Sequence, residues 1–241
     1  MDESRRNNGD GVGGNMPGSF RAGTYNIRHG KGLDGRVDLD RVAQVIVKMS
    51  ADIVGLQEVD KNRYRSGHID QAGYLANATG MFCCFAPGLR QGMALYGNAV
   101  LSRHPIIYWE SQTMRSLRER RVLLRTVIEI KGRRINFFTT HLGLNHKERL
   151  RHINKIIIPM IKGNRNTILT GDFNAYPDSP ELQSLQEVLR DSCNSHEELT
   201  FPSDSPRVRI DYVMHSPGFQ VSSTEVISQD ASDHNPLIVS F

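Results

Sequence analysis

The sequence predicts an α/β fold in which two β-sheets pack face to face with helices outside. Three observations carry this. Short apolar runs of strand length recur along the chain and outnumber the stretches with helical spacing. The helical stretches are interleaved with the strands rather than gathered at one end. No composition break or linker divides residues 20–241, so one domain has to house every strand, and two packed sheets accommodate that number.

The elements are expected in the following order. Residues 1–19, MDESRRNNGDGVGGNMPGS, are polar and Gly-rich. They cannot bury enough apolar surface to offset the entropy of ordering, so a disordered tail is expected. Phe20 to Ile27 reads as a strand. Residues 38–49 place Leu39, Val42, Val45, Ile46 and Met49 on one helical face, with Asp38 as N-cap. ADIVGLQEV is an apolar strand that delivers Glu58 at its end, and 69–79 is helical. Strands follow at 81–86, 93–101, 105–109, 122–130 and 134–140. Lys131-Gly132-Arg133 is a hairpin signal between the last two. A helix with a basic outer face covers 146–161. A short buried strand then runs into Gly171, a helix lies near 179–189, and strands cover 208–214 and 236–240.

The chain has 241 residues, of which 38% are hydrophobic and 23% charged, the composition of an enzyme-sized globular protein. A net charge of +4 suits an anionic partner without demanding one. Three cysteines, two of them adjacent and none in a CxxC, argue against a disulfide framework or a zinc site, and a reducing cytoplasm is the expected home. No apolar run approaches the roughly 18 residues that span a membrane, and no signal-peptide core is present. A monomer is expected.

The chemistry gathers at strand ends. In RNTILTGDFNAY (165–176) Gly171 allows a sharp turn, and Asp172 and Asn174, two apart, point the same way in extended geometry. An ordinary strand exit also uses Gly, Asp and Asn, so this stretch decides nothing alone. But similar ends recur, with Asn26, Glu58, Asn98, His141, Asp211, Asp233 and His234. A lone His141 reads more readily as a satisfied histidine than as a site. Asp211, between Ile210 and Tyr212, is harder to dismiss, because a buried carboxylate needs a partner. His234 is the natural one, since a carboxylate fixes the tautomer of its imidazole. Carboxylates, amides and histidines without a usable cysteine set favour one hard divalent cation, Mg²⁺ or Mn²⁺, together with a phosphoryl group.

Seven motifs in order extend this: TYNIRHG (24–30), LQEV (56–59), GNAVLSR (97–103), THLGL (140–144), GDFNA (171–175), IDYV (210–213) and SDHNPL (232–237). Their sequence resembles the endonuclease/exonuclease/phosphatase superfamily of Mg²⁺-dependent phosphoesterases over residues 20–241. The resemblance implies a four-layer α/β/β/α sandwich with the site at one end. It implies Glu58 as the principal metal ligand, with Asn26 beside it and Asp233 as a further metal-site carboxylate. It implies Asp172 as the group that orients or deprotonates the attacking water, Asn174 and His141 as donors to the phosphoryl oxygens, and Asp211 with His234 as a pair. Asn98 would support the site. Either His234 or Asp172 would be the base.

The implied reaction is phosphoester hydrolysis by in-line attack of water, most simply on a phosphodiester. The competing reading is an inert domain that binds a phosphorylated ligand or nucleic acid, and such a domain would be expected to lack part of the acid, amide and histidine set. The substrate stays open among nucleic acid, phospholipid headgroup and small phosphoester. MRSLRERRVLLR is a basic stretch holding Arg115, Arg118, Arg120, Arg121 and Arg125. It reads equally as a solvated surface. The resemblance places an arginine near here at the scissile phosphate, and Arg121 is the choice. Arg28, in Asn-Ile-Arg, is the second substrate-binding candidate and resembles pancreatic DNase at that point. Lys61, Arg63 and Arg65 add positive charge behind Glu58.

Overall fold

Two six-stranded sheets stacked face to face organise the chain. The structure is a computed structural model that describes residues 19–116, 119–193 and 197–241. The expected tail, through residue 18, and Arg118 lie outside the described residues.

The first sheet contains β1 (Arg21–Asn26), β2 (Ile53–Lys61), β3 (Phe82–Gln91), β4 (Ala94–Ser102), β11 (Ser223–Val226) and β12 (Leu237–Ser240). Its order is β11-β12-β1-β2-β4-β3. The second contains β5 (Ile106–Met114), β6 (Arg121–Ile130), β7 (Arg133–His141), β8 (Thr167–Asp172), β9 (Arg190–Asp191) and β10 (Asp211–His215). Its order is β5-β6-β7-β8-β10-β9. In each sheet a single parallel pair, β1 with β2 and β7 with β8, lies among antiparallel neighbours. Both sheets are therefore mixed, and the four-layer expectation is met.

Each layer boundary has its own apolar cluster. Between the sheets lie Ile53, Val100, Leu124, Phe137, Ile168 and Val213. Outside the first sheet, α1 (Leu39–Met49) and α2 (Gln71–Thr79) lay Val42, Ile46, Met49 and Leu75 on Tyr25, Val54 and Leu56. The predicted Asp38 cap is present, its side chain accepting from the Arg41 N–H at 3.1 Å, and Asp70, which was not predicted, does the same for Gly73 at 3.2 Å. Outside the second sheet, Ile153, Ile157, Leu182 and Leu185 pack on Leu123, Phe138, Leu169 and Tyr212. Burying each such side chain is worth about 1.5–3 kcal/mol.

The continuous helix expected over 146–161 is interrupted. It runs as α3 (His146–His152), a π-helical turn Ile153–Ile157, and α4 (Ile158–Ile161). Pro159 has no N–H to donate and its ring excludes the ordinary carbonyl contact four residues back, so the wider turn absorbs the mismatch. The helix near 179–189 is shorter, α5 (Pro180–Gln186). The strand expected from 208 starts at Asp211, because the backbone of Val208 is already bonded to Phe201. β11 was not foreseen: it is an edge strand whose exposed positions carry Ser and Glu, so it lacks the apolar alternation of a half-buried strand. No helix of the described residues is long and apolar enough to cross a membrane.

Two glycines set how closely backbones approach beneath the rim. A Cβ on Gly171 would lie 1.9 Å from the Thr140 carbonyl oxygen of β7, and its φ is 149°. A Cβ on Gly55 of β2 would lie 2.4 Å from Thr170 Oγ1 of the opposite sheet. Gly171→Ala is therefore expected to destabilise the fold by about 3 kcal/mol or more, because backbone cannot retreat as a side chain can. Urea unfolding of the variant beside a surface control would measure it, and an unchanged midpoint would refute the steric argument.

Candidate active site

The predicted strand ends converge on one side of the sandwich through pairing register. The parallel register of β7 and β8 sets His141 opposite Asp172, and the antiparallel register of β10 and β8 sets Asp211 opposite the same residue. Paired positions on neighbouring strands share a face, so three polar side chains form one row across the second sheet. In the first sheet, parallel pairing sets Asn26 opposite Gln57, with Glu58 next in the chain. Glu58 falls where the β2–β4 register shifts, between Leu56 and Val59, and has a φ of 60°. The bulge re-aims its side chain, at a backbone cost of about 1–2 kcal/mol for a non-glycine residue.

Asn26 ties the two sheets together. Its Nδ2 donates to Asp172 Oδ2 at 3.0 Å and to Glu58 Oε1 at 3.3 Å, while its Oδ1 accepts from the Arg28 N–H at 3.0 Å. Two carboxylates on one side and an N–H on the other dictate the amide's orientation. Asn26 is thus a donor that positions both acids. A polar seam continues below it: Thr24 Oγ1 donates to Gln57 Oε1 at 3.2 Å, and Gln57 Nε2 donates to Thr139 Oγ1 at 2.9 Å across the sheets. All three are fully buried.

His141 is buried between Arg121 and Asp172. Arg121 Nη1 lies 3.2 Å from His141 Nδ1. A guanidinium can only donate, so Nδ1 accepts and the ring proton is on Nε2. That Nε2 faces Asp172 Oδ2 at 3.4 Å and Asn174 Nδ2 at 3.2 Å. Burial first, then the Arg121 charge, push its pKa down to about 3, so His141 is a neutral donor. Asn174, with a φ of 49°, closes the turn after Asp172: its N–H donates to Asp172 Oδ1 at 3.0 Å and its Nδ2 to the Leu142 carbonyl at 2.9 Å.

His234 behaves in the opposite way. Its Nδ1 is 2.9 Å from Asp211 Oδ2 and its Nε2 is 3.7 Å from Asp172 Oδ2. Burial works against the charged ring, but the Asp211 and Asp172 carboxylates outweigh it and raise the pKa well above the ordinary 6.5. The Asp172 carboxyl is raised from its usual 3.8, first by burial and then by Asp211, with His234 opposing. Glu58 also feels burial most, yet His29, His141, Asn26 and His234 hold it down to about 2. Here the site has an ionised carboxylate that shares the Asn26 amide with one that is reluctant to ionise.

The other predicted residues are placed less centrally. Asn98 is buried with its Nδ2 on the Val122 carbonyl at 2.9 Å, the same oxygen that accepts from Thr140 Oγ1 at 3.2 Å. It props β6 and reaches the site through Arg121, which immediately precedes Val122 on the chain. Asp233 Oδ2 pairs with Arg28 Nε at 3.2 Å at the cleft edge. Two neighbours were passed over as site residues. His29 places Nδ1 3.8 Å from Glu58 Oε2. Phe201 packs its ring 4.8 Å from that of His234. His29 was legible as a polar residue just after Asn26 in TYNIRHG; Phe201 carried no such signal, because it meets His234 only through the fold.

Oxygen donors dominate where a cation would sit. Glu58 is ionised and only partly covered, and Asp172 shares Asn26 with it, so the donor set fits a hard divalent ion such as Mg²⁺ or Mn²⁺. Asp172, Asp211 and His234 are also close enough together to hold an ion. The geometry favours an imidazolium there, because Nδ1 is committed to Asp211 and two carboxylates favour its charged form.

Comparison with known proteins bears on the family and the fold. The sequence model of the Endonuclease/Exonuclease/phosphatase family matches residues 23–234. A protein of Escherichia coli, the uncharacterized protein YbhP, is 28% identical over 242 aligned positions, covering 91% of this chain and 94% of its own. Among solved structures, an endonuclease/exonuclease/phosphatase from Beutenbergia cavernae superposes with a TM-score of 0.77 at 22% identity, over 92% of this chain and 71% of that one. A mannosyl-6-phosphatase from Bacteroides thetaiotaomicron superposes with a TM-score of 0.73 at 20% identity, over 91% and 98%.

The Glu58 environment makes a stability prediction. Its carboxyl is near 2 in the folded protein against an ordinary 4.5, so the ionised form favours folding. That contribution is complete above about 4.5 and lost as pH falls through 2. Measured in EDTA, the wild-type melting temperature should fall relative to Glu58→Gln over this window. Parallel curves would show that Glu58 is not held in its ionised form.

Proposed function

The chain belongs to the endonuclease/exonuclease/phosphatase family, and we propose that it is a divalent-metal-dependent hydrolase of phosphoester bonds, acting first on phosphodiesters, from one domain spanning residues 20–241. The observation that carries this reading is the crowding around one oxygen. Asp172 Oδ2 has Asn26 Nδ2 at 3.0 Å, His141 Nε2 at 3.4 Å and His234 Nε2 at 3.7 Å. A carboxylate so placed, with its pKa raised, is suited to take a proton from water near neutral pH.

Glu58, assisted by Asp172, would hold Mg²⁺ or Mn²⁺, with Asn26 fixing both acids and Asp233 available at the cleft edge beside Arg28. The ion, when bound, neutralises charge that develops on the phosphoryl oxygens. Asp172 orients a water in line with the scissile bond and accepts its proton. The His141 Nε2–H and the Asn174 amide donate to the non-bridging oxygens, and Arg121 fixes the His141 tautomer while presenting charge to the substrate phosphate. His234, clamped by Asp211, adds a positive charge that grows in value as the phosphorane becomes more negative. This assigns the base to Asp172, because a histidine held protonated cannot accept. Arg28 and Asn98 complete the set, one at the rim and one beneath Arg121.

The purified protein should cleave bis-p-nitrophenyl phosphate in Mg²⁺ and stop in EDTA. Asp172→Ala and His234→Ala should each lower turnover by about 10³-fold or more with the fold retained by circular dichroism. A parallel assay on p-nitrophenyl phosphate tests monoesters, which the phosphatase neighbour keeps in view. Metal binding by calorimetry without turnover on any ester would mean an inert binder.

The rate should also be bell-shaped in pH. The base must be deprotonated and its pKa is raised, so the acid limb should lie above the ordinary 3.8 of an aspartate. His234 must keep its proton and its pKa is raised too, so the alkaline limb should lie above 6.5. A rate that is flat across pH 4–8 would remove Asp172 from the role of base.

A further inference from the structure

Strand β2 changes neighbours beside Glu58. Its parallel pairing with β1 ends at Asn26 opposite Gln57. At Lys61 the chain just before α2 takes over that side: Asp70 is bridged to Lys61, and the Asn62 N–H donates to the Ile69 carbonyl at 3.2 Å. Glu58 to Asp60 lie in the gap between the two neighbours. A gap in a buried sheet leaves backbone groups that have to be satisfied. One side chain serves both banks of it. Gln71, the first residue of α2, is fully buried. Its Oε1 accepts from the Asp60 N–H at 2.9 Å, and its Nε2 donates to the His29 carbonyl at 2.7 Å. An N–H on one bank and a carbonyl on the other dictate which way the amide points.

The near bank is strained. Arg28 and His29 have φ of 45° and 46°, both in the left-handed region. Non-glycine residues stay there only where their surroundings fix them. Two contacts of the site travel with this turn. The Arg28 N–H orients the Asn26 amide at 3.0 Å, and that amide donates to both Glu58 and Asp172. The His29 ring sets a buried Nδ1, which makes no hydrogen bond, 3.8 Å from Glu58 Oε2. The far bank is anchored independently. The fully buried Asp60 carboxylate accepts from Arg65 Nε and Nη2 at 2.8 Å each and from Ser66 Oγ at 3.0 Å. Asp60 therefore cannot follow the turn if it relaxes, and the Gln71 amide is the link that keeps the two banks at one separation.

We propose that Gln71 is a positioning residue for the metal-binding acid. By fixing the span from the His29 carbonyl to the Asp60 N–H, it holds the turn that aims Asn26 and the strand that carries Glu58. It thereby sets where the Glu58 carboxylate stands for a divalent ion. Its bonds are to backbone and to neither acid, so it acts through the residues on either side of Glu58. Groups that orient metal ligands in this way are worth about 10–100-fold in metal affinity. The consequence for the ion rests on the reading of Glu58 as the metal acid; the hold on Asn26 does not.

The test begins with hydrogen exchange by NMR in EDTA. In the wild type the Gln71 side-chain amide protons should exchange slowly, and fast exchange would overturn the clamp without any variant. Gln71→Met removes both bonds. Gln71→Glu keeps the acceptor for Asp60 and loses the donor to His29. In each, the Asn26 amide protons and the Arg28 N–H should exchange about tenfold faster than in the wild type. Asp70→Ala, which uncaps α2 and leaves the Gln71 amide in place, should not change them. Calorimetry with MgCl₂ should then give a Kd about tenfold weaker in both Gln71 variants and unchanged in Asp70→Ala. Turnover of bis-p-nitrophenyl phosphate lost at low Mg²⁺ should return as Mg²⁺ is raised, with KM for the ester unchanged. Wild-type exchange and Mg²⁺ affinity in the Gln71 variants, or equal losses in Asp70→Ala, would overturn the proposal. If the wild type binds no Mg²⁺ while the Asn26 protons still respond to Gln71, the metal reading falls and the clamp stands.

Discussion

A buried carboxylate has to be satisfied, and in this protein satisfying Asp172 takes both sheets. One of its oxygens accepts from Asn26, which ends β1 of the first sheet, and the other accepts from the Asn174 N–H in the turn that ends its own strand. The Asn26 amide could not reach if the sheets stood at their ordinary separation of about 10 Å along their whole length. Gly55 removes the side chain that would keep the sheets apart, and Gln57 to Thr139 carries the contact inward from the rim. An apolar seam in the same place would stack the sheets as well but would fix no rotation. Hydrogen bonds that must be made in a low-dielectric interior do fix one, since each left unmade costs about 1–3 kcal/mol.

The same closeness sets the charges. Glu58 and Asp172 share a donor yet are driven in opposite directions, because Glu58 meets histidines and an amide at a partly open edge while Asp172 is sealed beside Asp211. The two histidines divide in the same way. His141 faces a guanidinium and is left neutral, and His234 faces two carboxylates and is left charged. Four groups with ordinary pKa values spread over less than three units become one firm anion, one proton acceptor, one neutral donor and one cation. No single residue type dictates this. It follows from which neighbours the strand register supplies.

Much of this was legible in the sequence. Strand ends that deliver Asp172, Asn174, Glu58 and His141 were visible as polar residues after apolar runs, and the Asp211–His234 pair followed from a carboxylate caught between Ile210 and Tyr212. What the sequence withheld was direction. Nothing in TYNIRHG says that the Asn26 amide points its nitrogen at two acids, or that Asp233 turns to Arg28. The Asn98 side chain was expected to support the site, but nothing in the sequence says that it does so by holding the Val122 carbonyl, a partner 24 residues away that only sheet stacking brings near. Backbone irregularities were equally hidden. The left-handed φ of Glu58 and the π-helical turn before Pro159 are responses to tertiary packing and to a missing donor, not to propensity.

Strands and loops divide the labour of such a site for a mechanical reason. A group that must meet a phosphorus within a few tenths of an ångström belongs on a paired strand end, where register fixes it, and His141, Asp172 and Asp211 sit there, while a bulge within β2 aims Glu58. A group that only selects among phosphates tolerates looser placement and can ride on a connection. The segments that hold Arg115, Lys147 and Phe201 lie between strands or on a short helix. One arrangement of strand ends can then serve many phosphoesters while the connections choose among them. The connections at that end are accordingly where a preference among phosphoesters has to be sought, rather than in the strand ends that fix the reacting groups.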